Sequence, residues 1–148
     1  MRATQITTAV TRLTAKVVDA SVAAIGVDAV DVAGLERDID FAGGALLDSI
    51  YLPAELAHCA GDPAKLASRF AAKEAALKVL GTGIRGIGPR DVEVKTSQQG
   101  EPTLHLSRAA REVACRRNLG SLHCSMTHEA GLALAIVVAE PAHKLEQT

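Results

Sequence analysis

Residues 62–81 constrain this chain more than any other segment. Asp62 is suited to cap a helix N-terminus, and Pro63 to occupy its first turn. Leu66, Phe70, Leu77 and Leu80 recur at helical spacing as an apolar stripe, and Gly81 ends the helix. At about 100° per residue, Glu74 lies beside that stripe and Lys78 one turn beyond Glu74. Lys73 projects along the buried edge, where a cation needs an anion or a path to water. A phosphate ligand would satisfy it. A solvated Glu74–Lys78 pair at i,i+4 is the plainer reading of the other two residues.

The rest of the chain must supply a layer for this helix. At 148 residues it is sized for one domain. Aromatics are only 2% of residues, so the core must come from Ala, Val, Leu and Ile. An alanine-rich core is thin, and association into an oligomer would add buried surface. The net charge of −1 gives no basic field for nucleic acid. Cys59, Cys115 and Cys124 are an odd number without a CxxC pair, which argues against a disulfide framework and fits a reduced cytoplasm. No apolar run has the length of a membrane span. The longest, 131–139, is strand-sized, and no signal peptide is evident.

Residues 4–20 carry Ile6, Val10, Leu13 and Val17 at helical spacing. Residues 23–32 are rich in Val and Ile and read as a buried strand holding Asp28 and Asp31. A short helix over 35–40 is broken by Gly43 and Gly44, and another occupies 53–59 behind Pro53. Residues 82–89 form a loop, and 91–95 and 103–106 a hairpin. Ser107 caps a helix to about Asn118, Leu119 and Gly120 turn the chain, and strands at 121–127 and 132–139 meet around His128 and Glu129. Without a regular βαβ alternation the class is α+β, a largely antiparallel sheet packed with a long central helix. The expected organisation is a helical extension over 1–22, a domain over 23–140 and a polar tail over 141–148.

Asp28 stands among apolar residues, where a carboxylate is costly unless it is paired or binds a cation. Gly26 beside it would let another backbone or a ligand approach closely. A solvated or capping strand-end Asp is the simpler alternative. His128 alone reads equally well as a turn histidine.

Four motifs together change that balance. Phe70-Ala-Ala-Lys-Glu-Ala-Ala-Leu-Lys78, followed by Gly81-Thr82-Gly83-Ile84, resembles the signature helix and turn of holo-acyl-carrier-protein synthases. Gly26-Val27-Asp28 resembles that family's Gly-x-Asp strand. Asp91-Val92-Glu93-Val94 followed by Gly100-Glu101-Pro102 resembles its hairpin, and Ser125-Met126-Thr127-His128 its Ser-x-Ser/Thr-His motif. The motifs stand in the family's order between residues 25 and 140.

The resemblance implies a 4′-phosphopantetheinyl transferase fold and transfer of 4′-phosphopantetheine from coenzyme A to a serine of an apo acyl carrier protein. Adenosine 3′,5′-bisphosphate leaves. It implies Mg²⁺ held by Asp28 and Glu74, with Lys73 and Lys78 on the phosphates and Lys78 serving the leaving group. Glu74 or a metal-bound water would take the serine proton. His128 would reach the coenzyme's phosphate from a neighbouring subunit of a homotrimer, and Arg69 is a second candidate for the 3′-phosphate. Gly34 stands where the family carries a basic carrier-docking residue, so docking would fall to Arg37 or to Arg108, Arg111, Arg116 and Arg117. The alternative function is a non-catalytic coenzyme A- or carrier-binding module of a synthase. A zinc site among His58, Cys59, His105, Cys115, His123 and Cys124 lacks paired ligand spacing.

Overall fold

In a computed structural model, residues 21–81 and 86–142 are described. The expected helix over 4–20, the polar tail from 143 and most of the Gly81–Ile84 turn lie outside them. The elements run β1 (Ala24–Asp31), α1 (Val32–Ala42), α2 (Gly44–Ile50), α3 (Pro53–Cys59), α4 (Pro63–Leu80), β2 (Val92–Thr96), β3 (Pro102–Leu106), α5 (Arg108–Arg116), β4 (Leu119–Glu129) and β5 (Leu132–Pro141). β1, β5 and β4 form an antiparallel sheet in that order, and β2 and β3 form a separate hairpin. The α+β class stands.

α4 is the axis of the fold. The Asp62 carboxylate accepts from the amides of Ala64 and Lys65, Pro63 fills the first turn, and Gly81 closes the helix at φ 104°. Its packing differs from the expected stripe. Phe70 and Leu77 are only half-buried, whereas Ala67, Ala71, Ala72, Ala75 and Ala76 are fully buried. Alanine presents almost no side chain, so the sheet, the hairpin and α5 close on the helix from more than one side. A second cluster seats α1–α3 on the N-terminal half of α4, where Tyr51 donates to the Leu66 carbonyl at 2.8 Å.

β1 is an edge strand, not a fully buried one. Only the face of Gly26, Asp28 and Val30 meets α4, and Ile25 and Val27 on the other face are 62% and 46% exposed. Gly26 behaves as the sequence suggests: a Cβ there would collide with the Ala75 carbonyl oxygen of α4. The chain turn expected at Leu119 and Gly120 falls earlier, at Asn118 with φ 54°, and both residues belong to β4. The β4–β5 hairpin turns on Ala130 and Gly131, both at positive φ, so His128 and Glu129 end the strand instead of forming the turn.

Candidate active site

The close approach at Gly26 decides what Asp28 meets. Two residues along the same face, its carboxylate points at the edge of α4. Lys78 donates to Asp28 Oδ1 at 2.7 Å and to the Val27 carbonyl at 2.8 Å. Glu74, one turn back, is close enough to feel both. Burial pushes its carboxyl above the ordinary range, the Asp28 charge pushes it further the same way, and the Lys78 ammonium opposes them. Two carboxylates and one lysine drawn from β1 and α4 thus share one partly open edge, with side chains of Asp28 and Lys78 19% and 43% exposed.

That donor set fits a hard divalent cation. Mg²⁺ takes one or two carboxylates, keeps waters and accepts substrate phosphate oxygens. Among the described residues, no group of three or more His, Cys, Asp or Glu gathers as a complete cage. Asp28 and Glu74 would hold such an ion only together with water or a phosphorylated ligand.

Lys73 belongs elsewhere. It is fully buried, and its ammonium donates to Glu55 Oε2 at 2.7 Å, to the Val92 carbonyl at 2.8 Å and to the Pro89 carbonyl at 3.1 Å. All three donors are therefore committed within the protein. The expected phosphate contact is corrected: the anion is Glu55, which also accepts from the amides of Leu52 and Val94 at 2.8 Å each. Burial lowers the Lys73 pKa, and the hydrogen bond and charge of Glu55 act against that shift. The cluster ties α3, α4 and the hairpin together. Glu55 was invisible to spacing because 18 residues separate it from Lys73.

Arg69 and His128, the other two expected site residues, do meet. They line one cleft of about 420 Å³ together with His58, Lys65, Ser68 and Thr96. Arg69 is 2% exposed, donates from Nη2 to Thr96 Oγ1 at 2.8 Å, and has an Nε without a partner among the described residues. His58 is held below its ordinary pKa, chiefly by the Arg69 charge. A cleft with a lysine, an arginine and two imidazoles suits an anion. Lys65 lies four residues before Arg69, so helical spacing carried a signal for it. Nothing local marked His58 or Thr96.

The cleft and the carboxylate edge are on different sides of α4. Nine residues at about 100° each put Arg69 and Lys78 half a turn apart around the helix. Of the other arginines, Arg108 pairs with Glu112, Arg111 donates to the Leu106 carbonyl, Arg117 to the Leu80 carbonyl, and Arg37 lies 3.8 Å from Asp31.

The profile of the 4′-phosphopantetheinyl transferase superfamily matches residues 24–137. A holo-[acyl-carrier-protein] synthase of Geobacter sp. (strain M21) is 43% identical over 119 residues, spanning 78% of this chain and 95% of that protein. One of Clavibacter michiganensis subsp. michiganensis is 44% identical over 117 residues, 78% and 93% of the two chains. Among solved structures, the synthase of Neisseria meningitidis superposes with a TM-score of 0.74 at 34% identity, covering 81% of this chain and 99% of that one. The Helicobacter pylori synthase in complex with coenzyme A gives 0.72 at 31% identity, covering 79% and 100%.

Proposed function

The chain belongs to the 4′-phosphopantetheinyl transferase superfamily, and from that premise we propose that it transfers 4′-phosphopantetheine from coenzyme A to a serine of an apo acyl carrier protein, with Mg²⁺ as cofactor and adenosine 3′,5′-bisphosphate as the second product. The observation that carries this reading is the meeting of Asp28, Glu74 and Lys78 at the open edge of α4.

Asp28 and Glu74 hold the divalent cation. When bound there, it supplies positive charge to the pyrophosphate, where negative charge grows as the phosphoanhydride bond breaks. Lys78 carries its ammonium to the same place and serves the departing phosphate. The serine proton is taken up at this same edge, by Glu74 or by water there. Arg69 and His128 bind the coenzyme's 3′-phosphate in the basic cleft. Free cysteines at 59, 115 and 124 fit the reducing cytoplasm.

Two observations support a homotrimer with the site shared between subunits. The cleft and the carboxylate edge of one chain lie on different sides of α4. The outward face of the sheet carries Ile25, Val27 and Leu132, each 46–62% exposed, beside a core built largely of alanine and valine.

The test is intact mass of the carrier. Incubation with coenzyme A and Mg²⁺ should add one phosphopantetheine per chain at the acceptor serine, and chelation should stop it. A carrier left unmodified under those conditions would overturn the reading.

A further inference from the structure

Ser68 is a buried hydroxyl on α4 that the mechanism above does not use. Its oxygen lies 2.8 Å from the carbonyl of Ala64, four residues back, and 3.1 Å from Nδ1 of His128 on β4. A serine hydroxyl has one proton. A carbonyl oxygen can only accept, so at 2.8 Å that proton must point at Ala64. The contact with His128 must then be made by a hydrogen on Nδ1, with the Ser68 oxygen accepting. Nδ1–H is thus fixed, and Nε2 is left as the nitrogen of a cleft-lining ring with no protein partner among the described residues.

From this geometry we infer that Ser68 is a positioning residue: it sets the ring orientation and tautomer of His128 so that Nε2 faces the cleft. The ring stays held in both charge states, because protonation adds a hydrogen at Nε2 and leaves the Ser68 bond intact. The charged groups around it are Lys65 and Arg69 on α4, with the titratable His58 on α3, while β2 and β4 contribute only Thr96, Met126 and Thr127. An anion entering the cleft therefore meets a ring already oriented beside a fixed guanidinium: Nε2 donates to it on taking up a proton, with no imidazole reorientation on binding. The consequence for coenzyme A rests on the cleft taking its phosphate. The tautomer does not.

The experiment has two arms. In the first, ¹⁵N spectra of the ligand-free protein, taken where the His128 ring is neutral, report which nitrogen carries the proton. The wild type should show Nδ1 protonated and Nε2 bare. Ser68→Ala should shift the population toward Nε2–H, and Ser68→Thr, which keeps a hydroxyl able to bond four residues back, should restore the wild-type pattern. A wild-type ring with Nε2–H, or a pattern unmoved by Ser68→Ala, overturns the inference. In the second arm, Ser68→Ala should raise KM for coenzyme A about 5-fold, the equivalent of one hydrogen bond, with the smaller share of the effect in kcat and with recovery in Ser68→Thr. A KM for coenzyme A unchanged in His128→Ala would instead sink the phosphate-binding role of the cleft, while the spectra still decide the role of Ser68.

Discussion

Two lysines five residues apart on α4 make ion pairs of the same length in opposite surroundings. Lys73 meets Glu55 at 2.7 Å with both side chains at most 1% exposed, and Lys78 meets Asp28 at 2.7 Å at a half-open edge. The difference is what surrounds each pair. The Lys73–Glu55 cluster is closed: two carbonyls and two amides complete it, and no donor of the lysine remains for a ligand. The Lys78–Asp28 pair is open, and beside it Glu74 is destabilised as an anion. Burial turns one ion pair into a strut. Exposure and a second carboxylate leave the other open to exchange partners, as the proposed transfer requires.

The largest effect should fall on the open side. Glu74→Gln should lower transfer by at least about 10³-fold, the several kcal/mol that a metal ligand at a reacting phosphate supplies. Stability should move the other way. The folded-state pKa of Glu74 lies above its ordinary 4.5, so the stability linked to its proton is full below that value and is lost as pH rises through the raised one. Without metal, Glu74→Gln should therefore gain on the wild type as pH increases across that window in urea titrations. A variant that loses ground there would contradict the electrostatics of the open pair.

The closed pair should show the reverse profile. Lys73→Met strands a buried carboxylate and should cost about 3–5 kcal/mol. Glu55→Leu should cost more than Lys73→Met, because it orphans the amides of Leu52 and Val94 as well as the ammonium. Residual folded protein should keep its KM for coenzyme A. A Lys73 variant that stays stable but binds coenzyme A poorly would return the phosphate role to that residue.

Lys78→Ala separates the two lysines directly. Transfer should fall about 10²-fold, in the range for a positioned proton donor. Stability should change by no more than about 1 kcal/mol, as for a solvent-screened pair. The smallest effect concerns the carrier. Docking that relies on Arg37 and Arg111 predicts that charge reversal raises KM for the carrier about 3–10-fold, with coenzyme A binding unaffected. Unaltered carrier kinetics in both variants would remove these arginines from the docking surface.

Much of the open site was legible before the structure because it is local or carried by a motif. Glu74 and Lys78 share a helix face, and Gly26 with Asp28 marks a strand that approaches something closely. Each of the remaining errors has a physical source. The apolar stripe was read from large residues, yet Ala71, Ala72, Ala75 and Ala76 do the packing, and alanine gives little periodic signal. β1 looked buried from composition, but an apolar face can also be an exposed one. Lys73 was assigned to a phosphate because its true anion sits on another helix. Gly34, where a basic residue was expected, is part of a helix start: its amide donates to Asp31 at 3.0 Å, and a Cβ there would press on that carboxylate at 2.8 Å.

The most direct test of the open pair is calorimetric titration of Mn²⁺, a close stand-in for Mg²⁺, into protein saturated with coenzyme A. The account predicts one cation site per chain in the wild type, its loss in Glu74→Gln and Asp28→Asn, and its retention in Lys73→Met. Equal cation affinity in the wild type and in both carboxylate variants would contradict it.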